Sequence, residues 1–204
     1  MYNRPLYYTG VGSRKAPLDV CNEMVRLAAA LGPRYILRSG AAAGTLEGPA
    51  SADVAFEAGA RDVGADCEIY LPWKGYSNHP SPLYGVDATA RALAATLHPF
   101  WSALEEGAVK LHSVSCYQVL GQALDSPSEF LVCWTPDGCE TEQQRRRSTG
   151  GTATAIVLAH RNSIPVFNLK NDDSRERLVA TLLEEDIDVS WLLQGRSMKQ
   201  QPLF

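Results

Sequence analysis

No stretch of this chain is apolar over the length a membrane-crossing helix needs. The first residues, Met1-Tyr2-Asn3-Arg4-Pro5, lead into a strand pattern rather than the apolar core of a signal peptide, so a cytoplasmic protein with no membrane partner is expected. There is no basic excess: 19 Lys and Arg stand against 23 Asp and Glu, a formal net charge of −4. The chain as a whole does not attract polyanions, and only a local basic patch would. The five cysteines, Cys21, Cys67, Cys116, Cys133 and Cys139, are odd in number and lack a C-x-x-C pair. That pattern argues for buried free thiols over a disulfide framework. His79, His98, His112 and His160 are scattered without ligand spacing, so no metal and no cofactor is expected. Local spacing assembles no Ser/His/Asp or Cys/His set.

What is present is an ordinary globular balance, 45% hydrophobic and 21% charged, over 204 residues. That length suits one compact domain, assigned to residues 1–195, with a loosely held tail at 196–204. Strand and helix patterns alternate along it. Leu6-Tyr7-Tyr8 reads as a strand, and Val20, Met24, Leu27, Ala28 and Leu31 recur at helical spacing until Gly32-Pro33. Residues 35–38 read as a second strand, 53–60 as a helix and 67–71 as a third strand, with 73–82 too rich in turn formers to be regular. Helical spacing returns at Val86, Ala90, Leu93, Ala94 and Leu97, and through Tyr117, Val119, Leu120 and Ala123. Residues 130–134 form a near-continuous apolar run, the mark of a strand buried on both faces of a parallel sheet. A helix over 152–159, a strand over 164–169 and a helix over 175–185 follow. The alternation predicts an α/β fold, a three-layer αβα Rossmann-like sandwich with a mostly parallel sheet. Such sheets bind ligands beyond the carboxyl ends of their strands.

Three turns of small residues fall at such ends: Tyr8-Thr9-Gly10-Val11-Gly12-Ser13-Arg14, Arg38-Ser39-Gly40-Ala41-Ala42-Ala43-Gly44, and Ser148-Thr149-Gly150-Gly151-Thr152-Ala153-Thr154. A strand that ends in small residues and reopens as a helix presents backbone N–H groups at the positive end of the helix dipole, where a phosphate docks. The candidate ligand-binding set is therefore Gly12, Ser13, Arg14, Ser39, Gly40, Gly44, Thr149, Gly150, Gly151 and Thr152, and the partner a nucleotide-derived small molecule. A plainer reading stands beside it, in which the glycines merely permit positive φ angles and Arg14 is solvated surface. Arg145-Arg146-Arg147 reads first as a solvated charge run and second as a phosphate or nucleic-acid contact. Trp73 and Tyr76 either stack on a base or cover the sheet edge. Asp137-Gly138 reads as a turn before a ligand contact. Glu57 is the carboxylate best placed near the second turn, with no evident partner.

The order of these blocks resembles the Smf/DprA Rossmann domain of DNA-processing recombination mediators and, more widely, the SLOG superfamily, which includes the LOG-type (lonely guy) phosphoribohydrolases. Gly12-Ser13-Arg14 resembles an opening G-S-R. Ser39-Gly40, Gly44 and Asp53-Val54-Ala55-Phe56 resemble an S-G-G-x-x-G-x-D block, and Gln118-Val119-Leu120-Gly121 a later helix. The stretch from Phe130 through Thr149-Gly150-Gly151-Thr152 to Leu169 resembles the closing strand, glycine loop, helix and strand. The resemblance spans about residues 6 to 170. It implies nucleotide binding in signalling, defence or counter-defence, and a homodimer. Its alternatives are single-stranded DNA binding of the DprA kind and N-glycosidic cleavage of the LOG kind. Three departures accompany it. Thr45-Leu46-Glu47-Gly48-Pro49-Ala50-Ser51 looks like an insertion, Val114-Ser115 replaces an Arg-Asn pair, and Ala155-Ile156-Val157-Leu158 stands where LOG-type enzymes carry a catalytic glutamate. No catalytic residue is therefore assigned, and binding without turnover is expected.

Overall fold

The computed structural model describes residues 4–44 and 51–194. The tail at 196–204 and most of the insertion, Thr45 to Ala50, lie outside the described residues. Five strands, β1 (Leu6–Gly10), β2 (Tyr35–Ser39), β3 (Cys67–Ile69), β4 (Phe130–Cys133) and β5 (Val166–Asn168), form one sheet in the order β3-β2-β1-β4-β5. Every described pairing in it is parallel. Six helices surround it: α1 (Leu18–Leu31), α2 (Ala52–Asp62), α3 (Ala88–Leu97), α4 (Glu106–Leu120), α5 (Ala153–Arg161) and α6 (Asp172–Leu183). The expected three-layer Rossmann-like sandwich is thus the fold.

Strand burial explains the layering. Along β4, Phe130 and Val132 join a core with α1, α2 and α6, whereas Leu131 and Cys133 join a core with α3, α4 and α5. A parallel strand covered on both faces gains nothing from alternating polarity, hence the unbroken apolar run. Tyr8 stacks on Phe130 at 5.9 Å between ring centres and meets Phe56 edge-on at 6.3 Å, anchoring α2 over β1. All five cysteines are free, and all but Cys67 are buried. No described helix is long and apolar enough to cross a membrane.

Local differences from the sequence reading have local causes. The helix read through Ala123 stops at Leu120, because Gly121 turns to φ +74° against the Arg38 guanidinium, and it begins much earlier, at Glu106. The last helix is Asp172–Leu183, started by acidic residues that suit a helix N-terminus. The third strand shortens to Cys67–Ile69, with Leu71 keeping only a bridge to Tyr84.

Within α2, Gly59 lets α1 approach so closely that a Cβ there would land on the Val25 carbonyl. Two tendencies oppose each other at this position. Alanine is the better helix former by about 1 kcal/mol, but forcing two packed helices apart costs about 1–3 kcal/mol. Gly59→Ala is expected to lower stability in urea titration. A variant as stable as the parent would show that the helices have room to move.

Candidate functional site

Strand order reverses between β1 and β4: the chain moves outward from β1 to β3, then returns to the other side of β1. The loops leaving β1 and β4 therefore diverge and open a crevice beyond the carboxyl ends of the strands. A cavity of about 880 Å³ lies there, lined by Gly12, Ser13, Arg14, Gly40, Thr149, Gly150, Gly151 and Thr152. The three turns converge. Two expected members do not reach it. Ser39 is fully buried in the sheet, its hydroxyl donating to the Gly10 carbonyl at 2.6 Å. Gly44, bordering the undescribed stretch, is not among the lining residues.

The glycines serve different purposes. A Cβ at Gly12 would sit 2.7 Å from the Ala52 methyl and 3.0 Å from the Trp134 carbonyl, so packing alone requires glycine there. At Gly40 it would sit 2.7 Å from both Asp53 Oδ2 and Gln118 Nε2. Gly150 adopts φ +67° and ψ −152°, a conformation open to glycine and costly for other residues. Gly151 has neither explanation: a Cβ on it meets nothing within 4 Å, and its φ is ordinary. Only the third turn abuts a helix, since α5 begins at Ala153 directly after Thr152. The first two turns lie well ahead of α1 and α2, and α2 is capped instead by Ser51, whose hydroxyl accepts the Val54 N–H at 3.2 Å. Anion attraction by a helix end therefore applies to α5 alone.

The cavity is also where charge collects. Arg14, Lys15 and Arg147 line it, and among the described residues none of their side chains has an ion-pair or hydrogen-bond partner. The arginine run divides: Arg147 faces the cavity, whereas Arg145 donates to the Leu97 carbonyl at 2.6 Å. Among the described residues the one acidic residue in the lining is Asp53, 7% exposed, which accepts the Ala42 amide at 3.2 Å and feels the pull of the Gly12 amide. Burial pushes its carboxyl up to about 7 against the lowering pull of those amides and of Arg14. His112, also lining, is held down to about 4 by burial and by the neighbouring His98, whose ring lies 4.5 Å away; its Nδ1 meets the Thr154 hydroxyl at 2.7 Å. It is neutral at physiological pH.

Glu57 does not line the cavity. It is held by Arg61 at 2.6 Å and by His79 Nε2 at 2.9 Å, so the partner that its sequence context did not reveal comes from the loop after β3. Because His79 Nδ1 accepts the Ser81 amide at 3.1 Å, Nε2 carries the proton and donates to Glu57. This clamp holds the loop that carries Tyr76 to the cavity, with Trp73 edge-on behind it at 5.0 Å. Asp137 braces the third turn: its carboxylate accepts the hydroxyls of Ser148 at 2.9 Å and Thr149 at 2.6 Å. Thr149 thus shapes the loop with its hydroxyl already engaged.

The chain matches no family model, no curated protein and no solved structure. Among the described residues no group of three or more His, Cys, Asp or Glu is placed to hold a metal ion. Asp53 and Gln118, which the sequence reading named only as parts of motif blocks, and Lys15, which it did not single out, also line the cavity. Asp53 stands one helical turn before Glu57, so the pattern that pointed to Glu57 applied equally to it.

Because folding raises the carboxyl of Asp53, the folded protein holds a proton there that the unfolded chain releases above about pH 4. Stability is thus lost as pH rises from about 4 through about 7. In Asp53→Asn this loss is absent. The stability of the variant relative to the parent is expected to improve by on the order of a few kcal/mol between pH 4 and pH 8. Denaturant titrations at several pH values measure it, and a constant difference would mean that Asp53 titrates like an exposed carboxylate.

Proposed function

We propose that this chain binds a nucleotide, or a small molecule derived from one, in the cavity at the carboxyl edge of its sheet. The observation that carries this reading is the cluster of Arg14, Lys15 and Arg147, three cations that make no ion pair among the described residues, in a chain of net charge −4. Cations gathered in a concave site focus the field on an anion, and arginine forks suit phosphate oxygens. Beside them Gly151 carries no side chain, and neither packing nor backbone conformation asks for its absence. A ligand lying against the main chain at the start of α5 supplies the reason. The volume, about 880 Å³, is in the range of small-molecule sites, and the lining also offers Tyr76, Leu111 and Val114 to a flat apolar base.

The resemblance to the SLOG superfamily adds a role in nucleotide signalling, defence or counter-defence, within a cytoplasmic homodimer. Binding without turnover is favoured because α5 presents Ala155 to the cavity and buries Ile156, Val157 and Leu158. Single-stranded DNA is the weaker reading: of the basic residues it needs on one face, Arg161 is bound to Glu142 at 2.8 Å and Arg145 to a carbonyl.

The test begins with mass spectrometry of small molecules released from the purified, denatured protein. Calorimetry with the molecule found follows. Gly151→Asp places a carboxylate where the anion lies, without a clash in the free protein, so the melting temperature is retained while binding is lost. Arg147→Ala is expected to weaken binding roughly tenfold to a hundredfold, the worth of a charge-assisted hydrogen bond. Unchanged affinity in Gly151→Asp would remove the third turn from the site.

A further inference from the structure

Gln118 is 93% buried by its 7% exposure, faces the cavity from α4, and its side-chain amide has no hydrogen-bond partner among the described residues. That amide is open to the cavity rather than sealed in the interior, as the unpartnered Tyr8 hydroxyl and Ser174 hydroxyl are, so it is placed to bond a molecule that enters. Its nitrogen and the Asp53 carboxylate each stand 2.7 Å from the point that a Cβ on Gly40 would occupy, so they are separated by no more than twice that distance. The missing side chain of Gly40 is what lets both groups reach the same floor. The helices bring them from opposite layers, Asp53 from the α2 side of the sheet and Gln118 from the α4 side.

We propose that Gln118 and Asp53 form a polar subsite that reads the vicinal diol of a ribose, making the site selective for ribonucleotides over 2′-deoxyribonucleotides. The inference rests on the nucleotide reading above and adds the sugar to it. The chemistry follows from the donor set. The Asp53 carboxyl accepts from a hydroxyl in either protonation state and also donates while it holds its proton, and a carboxamide both donates and accepts, so adjacent hydroxyls satisfy the pair together. The phosphate end of the cavity is cationic and unsuited to a hydroxyl pair; the Leu111 and Val114 wall is apolar. The floor between them is the only lined position that holds a carboxylate beside an unpaired amide among the described residues. A site built to hydrogen-bond a hydroxyl rejects the analogue lacking it, because its own buried groups are then left unpaired.

The experiment is calorimetric titration of the full chain with AMP, GMP, CMP, UMP and ADP-ribose, each beside its 2′-deoxy form, on the parent, Gln118→Ala and Gln118→Glu. Expected is at least about tenfold preference of the parent for one or more ribo forms. In Gln118→Ala this preference falls below about threefold, chiefly through weaker ribonucleotide binding, with the 2′-deoxy affinity little changed. Gln118→Glu, which keeps an acceptor and adds charge, controls for a merely packed side chain: both variants must unfold at temperatures close to the parent's. Equal binding of ribo and deoxy forms by the parent overturns the sugar subsite and leaves the nucleotide reading standing. A preference that persists in folded Gln118→Ala overturns the role of Gln118. Binding of no nucleotide in the set overturns both.

Discussion

The carboxyl of Asp53 accepts the Ala42 amide at 3.2 Å and feels the pull of the Gly12 amide, and so, from the first turn of α2, it stands between the loop leaving β1 and the loop leaving β2. Those loops carry two of the three turns that line the cavity, and Asp53 itself is only 7% exposed. On the far side of the crevice Asp137 braces the third turn, through the hydroxyls of Ser148 and Thr149. The two carboxylates differ in their protonation. Burial wins at Asp53 and raises it, whereas at Asp137 a milder burial is overcome by hydroxyls from Thr149, Thr135 and Ser148, which hold it below the usual carboxylate range. One acid therefore stands fully charged away from the cavity, and the other is largely neutral within it below pH 7. An anionic ligand meets little repulsion from the floor.

The distribution of arginines reinforces that asymmetry. Arg38 and Arg175 are buried and consumed by the fold. The first pairs with Glu68 and lies over the Tyr7 ring, and the second joins α6 to Glu23 and to the carbonyls of Leu169 and Leu192. Arg61, Arg91, Arg161 and Arg177 are matched to carboxylates at the surface. What remains uncompensated includes the cavity set, Arg14, Lys15 and Arg147. A chain that is acidic overall thus places positive charge that makes no ion pair among the described residues in the cavity beyond its sheet, where low-dielectric walls strengthen its field.

The placement of Tyr76 at the cavity depends on a contact between distant segments. Gly75, Ser77 and Asn78 all take positive φ, an arrangement that a free loop of L-residues resists. The Glu57–His79 clamp compensates for that cost by fixing the loop on α2, which sets Tyr76 at the cavity. The same helix thus supplies Asp53 and, one turn later, the anchor at Glu57.

Much of this was legible from residue order. The alternation of apolar periods specified strands buried on both faces, and from that the parallel layered sheet; the small-residue turns after β1, β2 and β4 marked the edge where the cavity lies. These are local signals, carried by neighbours in sequence, and they survive any detail of packing. The purpose of each turn residue was not local. Ser39 and Gly12 answer to groups in other segments, Gly10 and Trp134, and Glu57 gains His79 from a loop whose length and polarity disguised its contact. Asp53 and Gln118 lie 65 positions apart, on helices in different layers, and meet over Gly40 only because the strand order reverses between β1 and β4. The sequence by itself determined the layers and the edge at which the cavity lies, through periodicity and turn chemistry. Which side chains are consumed by the fold and which are left for a ligand was decided by the tertiary structure, because hydrogen-bond partnership depends on distance in space.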